Sequence, residues 1–158
     1  MNGLYLSFKV VHIVSATILF GSGLGTALQL WLAHRSGDAA AIAVVARNVV
    51  RADWVLTTPS GIVQPLTGVA LAYLAGWPLV SPWLVMTYFL YALAFACWVP
   101  VVWLQMSARD LAAQSARADA PLPDAYFRIM RVWFALGWPA FLALISIFVL
   151  MVTKPAPW

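Results

Sequence analysis

Lys9 and His12 stand three residues apart inside an apolar run from Leu4 to Ala33, a spacing that puts both on one face of a helix. An ionisable group in such a run is expensive to keep in hydrocarbon and marks a functional position by default. Lys9 is close enough to the start of the run to extend its ammonium outward to water. His12 is not, and its neutral imidazole carries one donor and one acceptor that both need partners. The acceptor nitrogen is a metal ligand, and in apolar surroundings it suits the axial position of a haem. Gly23 lies three helical turns further on at nearly the same azimuth, with Ala16 between, so a flat small-residue stripe faces the same way as the imidazole. That stripe admits a macrocycle. It equally admits another helix, because Gly21 and Gly25 form the G-x-x-x-G spacing of packed membrane helices.

His34 also faces this way, but it lies about 33 Å further along a helix from His12, so the two cannot clasp one metal. A sixth ligand would come from a second subunit or from a methionine, Met86 or Met151 at one level and Met106 at the other, each of which also serves as core filling. Counting depth along an antiparallel neighbour sets Thr67 beside His12 and Gln64 one turn deeper, a hydrogen-bonding shell for a cofactor or quinol. His34 and Arg51 suggest a second polar site at the opposite level. Arg47, Arg51, Arg128 and Arg131 could clamp propionates or phosphates, although the negative charge of a leaflet explains them as well. The single cysteine, Cys97, rules out an intramolecular disulfide framework. There is no Ser/His/Asp set, no P-loop, no glutamate and no carboxylate inside an apolar run, so hydrolysis and carboxylate-based proton-coupled transport lack machinery.

The elements that position these groups follow from the distribution of charge. Apart from Lys9 and Lys154, every charged residue falls between Arg35 and Asp53 or between Arg109 and Arg131, and 64% of the 158 residues are hydrophobic. A soluble domain of this size could not cover that much apolar surface. Four apolar stretches remain, Leu4 to Ala33, Trp54 to Ala75, Pro82 to Ser107 and Asp124 to Val152, each long enough to cross a hydrocarbon layer about 30 Å thick. The expected fold is an all-α integral membrane protein: one domain over residues 1–158, a four-helix transmembrane bundle with a short cytoplasmic interfacial helix, Ala39 to Asp53, between helices 1 and 2. Ser36-Gly37-Asp38 supplies the break and cap before that helix, and Asp124 is the expected cap of the last one. The third helix is expected to run a turn or two past Arg109. The second span, with Thr57-Thr58-Pro59-Ser60-Gly61 and then Gln64, Pro65 and Thr67, has too many breakers and hydroxyls to face lipid and should face its neighbours.

All seven arginines sit on the side of the first and third connections, which the positive-inside rule places in the cytoplasm, with both termini outside. Trp77, Trp83 and Trp158 then mark the outer interface, and Trp31, Trp54 and Trp103 the inner one. The net charge of +4 is accounted for by this sorting, and the expected partner is membrane lipid, not nucleic acid.

Three segments carry a family resemblance: Lys9-Val10-Val11-His12 with Gly21-Ser22-Gly23-Leu24-Gly25, the run from Thr57 to Gly68, and Gly137-Trp138-Pro139-Ala140-Phe141 with Met151 to Pro155. Together they resemble the bacterial integral membrane proteins of domain of unknown function 2269, across essentially the whole chain. More distantly, Lys9, His12, His34, Arg51, Thr57-Thr58-Pro59 and Phe127-Arg128 look like positions in the haem-associated protoporphyrinogen IX oxidases. That likeness implies b-type haem on a helical bundle, self-association and electron transfer to a membrane acceptor. Two departures set it apart: Thr87 stands where those oxidases carry a lysine after Trp83, and Leu136-Gly137 stands where they carry asparagine-glutamate. The sequence therefore leads to the expectation of a haem b protein of redox type with His12 as metal ligand and Lys9, Gly23, Gln64, Thr67, His34 and Arg51 as cofactor contacts. Its partners would be a second copy of the chain or a membrane redox protein. The competing expectations are a cofactor-free scaffold or accessory subunit and a small-molecule transporter.

Overall fold

Glycine and proline cut the chain into four helical rods in the computed structural model, which describes residues 3–155. The first rod, α1 (Gly3–Ser36), is about 51 Å long at 1.5 Å per residue. It stops where Gly37 takes φ +70, a left-handed conformation that costs glycine little. Asp38 then caps α2 (Ala39–Ala52), its carboxylate accepting from the Ala40 and Ala41 amides at 2.8 and 3.3 Å. From α2 the backbone continues without interruption through one π-helical turn, Asp53–Thr57, into α3 (Thr58–Leu74). Pro59 accounts for that turn. It has no N–H to offer and its ring would strike the carbonyl one turn back, so the helix widens and the Thr58 amide bonds to the Asp53 carbonyl five residues earlier. Gly76, at φ +73, ends this rod. The third and fourth rods are α4 (Pro82–Arg117) and α5 (Asp124–Thr153). Asp124 occupies the first helical position of α5 and Pro123 the cap, one residue from the cap expected at Asp124. As expected, α4 runs two turns past Arg109.

The rods pack in two regimes. At the charged end, Leu30 and Ala33 of α1, Ile42, Ala46 and Val49 of α2, Ala108 and Ala112 of α4 and Tyr126 and Met130 of α5 form one contiguous buried core. Fully buried alanines at positions 46, 108 and 112 let α2 and α4 approach closely. Here α1, α2, α4 and α5 make a small four-helix head. α2, expected as a short cytoplasmic interfacial helix, packs into the bundle, with Ile42, Ala43, Ala46, Val49 and Val50 turned inward and Arg47, Asn48 and Arg51 exposed. Its apolar stripe finds a protein groove because α1 and α4 both overhang far enough to supply one.

The other end behaves oppositely. Three helices, α1, α4 and α5, are long and apolar enough to cross a membrane, yet only 6% of the most apolar stretch of α1 and of α5 is buried within the chain. Val10, Val14, Leu142, Ile145 and Val149 face outward, a surface that calls for lipid or another protein surface to cover it. The 17 residues of α3 fall short of that length taken alone, although the rod that contains them reaches back to Ala39. At the far tip Lys154 sits over Trp77 and Trp83, 5.5 and 6.0 Å from the ring centres, and the two indoles meet edge to face at 5.6 Å. This is the tryptophan level expected at one interface; Trp158 lies outside the described residues.

Candidate functional site

Where α1 crosses α3, the hydroxyls and amides of the second apolar run turn inward as their density predicts. Thr67, Ser15 and Ser60 are buried, and the groups form a directional chain. Ser15 Oγ donates to Gln64 Oε1 at 2.5 Å. The Gln64 Nε2 amide faces His12 Nε2 at 3.2 Å and His12 Nδ1 faces Thr67 Oγ1 at 2.8 Å. Thr67 Oγ1 in turn donates to the Val63 carbonyl at 2.8 Å. One assignment satisfies every member: a neutral imidazole with its proton on Nδ1, donating to Thr67 and accepting from Gln64. Gly68 lets α3 come this close, since a Cβ there would lie 3.2 Å from His12 Cε1. One turn deeper the Tyr91 hydroxyl of α4 donates to the Gly61 carbonyl of α3.

The structure therefore brings three of the expected residues together, His12, Gln64 and Thr67, and separates the others. Lys9 is exposed, its ammonium 6.0 Å from the Tyr5 ring centre, in keeping with extension toward water. Gly23 meets nothing within 4 Å of where its Cβ would be. His34 pairs with a residue that the sequence did not single out: its Nδ1 is 3.1 Å from the Tyr126 hydroxyl, and the rings of Tyr126, Phe127 and Phe134 surround it. Arg51 is exposed on α2, so the expected pairing of His34 with Arg51 is replaced by a histidine–tyrosine contact inside the head.

A second polar cluster lies at the π turn. Ser22 Oγ and Thr57 Oγ1 are 3.1 Å apart, Thr57 donates to Asp53 Oδ1 at 3.0 Å, and Thr58 Oγ1 donates to the Asp53 carbonyl at 2.8 Å. The buried Gln105 side chain of α4 approaches the same carboxylate, and neither Asp53 Oδ2 nor Gln105 Oε1 has a hydrogen-bond partner. Asp53 is buried, whereas Asp38, Asp110, Asp119 and Asp124 are exposed. In the sequence it is only the end of a charged segment; the signal that distinguishes it is its place one turn before Thr57-Thr58-Pro59.

The family described as "Predicted integral membrane protein (DUF2269)" matches residues 6–155. The chain belongs to it. No curated protein and no solved structure matches the chain, so this DUF2269 member takes from its comparisons a membrane location and no activity. The likeness to haem-associated oxidases gains no support from them. The residues themselves do not fit a haem at His12. Both imidazole nitrogens are engaged by α3 side chains, and the lone pair an iron would need points at the Gln64 amide. An apolar groove of about 350 Å³ opens between α1 and α3, walled by Val10, Val14, Ile18, Val55 and Pro59. Ser15 and Ser60 reach it, but His12 does not line it. Among the described residues no three histidine, cysteine or carboxylate side chains gather at one point.

Proposed function

We propose that this DUF2269 protein is a cofactor-free membrane scaffold that self-associates through α1. In this reading all four rods cross the bacterial inner membrane, both chain ends are outside, and the head carrying the arginines stands in the cytoplasm, as the positive-inside rule requires.

One observation carries it. Thr17, Gly21, Gly25 and Gln29 recur every four residues along α1, so they share one ridge. Thr17, Gly21 and Gln29 are exposed, and neither glycine has an atom within 4 Å of its would-be Cβ. Small residues flanked by hydrogen-bonding side chains are what membrane helices use to approach one another. Copies of the chain share one orientation in the bilayer, so a two-fold axis along the membrane normal sets the Gly21/Gly25 face of one α1 against the same face of another, a self-complementary contact. The seam around His12 serves this role as an internal fastening that holds α3 onto α1 and leaves the opposite ridge free.

Gly21→Leu with Gly25→Leu is expected to convert a dimer to a monomer in bilayers, read by cross-linking or single-molecule photobleaching. The thermal midpoint should stay unchanged, because the new side chains enter open space. Persistence of the dimer, or loss of folding with it, would overturn the assignment. The rival haem reading is checked by the absorption spectrum of detergent-purified protein from haem-replete cells. The expected spectrum lacks a Soret band before and after dithionite; a Soret band abolished by His12→Ala would restore the redox reading.

A further inference from the structure

The cluster at the π turn holds a buried carboxylate without a matching positive charge. Asp53 is 4% exposed and Gln105 is 3% exposed. Asp53 Oδ2 and Gln105 Oε1 are both fully shielded and have no hydrogen-bond partner. With the carboxyl ionised, these two oxygens are both acceptors and cannot satisfy one another. Each costs free energy as it stands, and a buried charge left unpaired costs far more. The basic groups on the packed elements do not supply the missing charge. Arg47 and Arg51 of α2 are exposed, and Arg109, one turn beyond Gln105 on α4, is paired with Asp110 at 2.8 Å. On α1 the basic residues are Lys9, His12, His34 and Arg35, which contact Tyr5, Thr67 and Gln64, Tyr126, and Trp31 in turn. No titratable side chain occurs in α3 before Tyr73.

We propose that Asp53, Gln105, Thr57 and Ser22 form a binding site for one monovalent cation, supplied either as a proton on the carboxyl or as a sodium ion, at the neck between the head and the membrane-facing half. The valence follows from the donors. One carboxylate and three neutral oxygen-bearing side chains balance a single positive charge, and a divalent ion would be left half-neutralised. The position follows from the backbone. The widened turn sets the Thr57 hydroxyl between the Asp53 carboxylate and Ser22 of α1, while the buried Gln105 side chain approaches the same carboxylate from α4. Irregular helix at membrane depth is tolerated where it lines such a site, and π turns recur at functional positions.

The full-length protein in detergent tests it in two arms. In the first, the thermal midpoint is followed against sodium chloride, with choline chloride holding ionic strength constant. A rise with sodium that disappears in Asp53→Asn assigns the site to sodium. In the second, infrared difference spectra in sodium-free buffer at neutral pH are compared with those of Asp53→Asn. A protonated-carboxyl stretch lost in the variant and shifted in D₂O assigns the site to a proton. Gln105→Leu, which keeps the carboxylate, is expected to weaken whichever response is found and provides the comparison should Asp53→Asn fold poorly. If the wild-type protein shows neither a sodium response nor a protonated carboxyl, or if Gln105→Leu leaves the response intact, the site does not exist.

Discussion

Tyr126→Ala is expected to melt the head of the bundle, with a loss of about 3–5 kcal/mol, the cost of truncating a fully buried aromatic residue. Tyr126 is the largest fully buried side chain among the described residues. It sits where α5 meets α1, edge to face with Phe127 at 5.4 Å, and its hydroxyl partners His34 Nδ1. Truncation leaves a void that alanines at 108 and 112, already at closest approach, cannot collapse to fill. It also strands the His34 nitrogen. Tyr126→Phe separates the two effects, because it keeps the packing and removes only the hydrogen bond; the expected loss is about 1 kcal/mol. Chemical denaturation in detergent, followed by tryptophan fluorescence with Trp133 of the same core as reporter, measures both. Equal losses for the alanine and phenylalanine variants would mean that the hydrogen bond and not the core holds this end. Limited proteolysis should open α2 first in Tyr126→Ala, since α2 carries no long apolar face to hold it in lipid.

What the sequence disclosed and what it hid separate along one physical line. Helices rise by a fixed amount per residue, so depth can be counted, and counting along an antiparallel neighbour is enough to set Thr67 and Gln64 against His12. Breakers and hydroxyls act locally, so the dense run after Asp53 points to an inward-facing helix before any tertiary contact is known. The orientation of α2 is different in kind. An amphipathic helix with arginines on its polar face suits a headgroup layer as well as a protein groove, and only the overhang of α1 and α4 decides between them. Proximity likewise does not reveal saturation. That His12 has polar neighbours was countable; that Gln64 takes its lone pair while Ser15 holds the other end of the same amide depends on rotamers. Asp53 was hidden by its company, because its neighbours in the charged segment, Arg47 and Arg51, do face water. Gln105, uncharged and alone near the end of an apolar run, gave no periodic signal at all.

Gly68→Leu is expected to part α3 from α1 and to cost more than its single side chain suggests. A Cβ at this position already falls 3.2 Å from His12 Cε1, tight enough that the imidazole must yield to alanine; leucine adds three more carbons on the same line. The imidazole has nowhere to go, because its two nitrogens are tied to Thr67 and Gln64 on the helix that carries the intruding side chain. Moving the ring breaks both bonds and leaves the Gln64 amide and the Thr67 hydroxyl facing an apolar surround. Overpacking alone costs about 1–3 kcal/mol, and the stranded polar groups add to it. The double variant Gly68→Leu with His12→Ala resolves the two contributions, since alanine at 12 makes room for the leucine. The expected double variant is more stable than Gly68→Leu alone, a recovery measured as the coupling in a double-mutant cycle. A single variant as stable as the parent, or a cycle with no coupling, would show that α1 and α3 are not locked at this crossing, and the seam would lose its role as the fastening of the bundle.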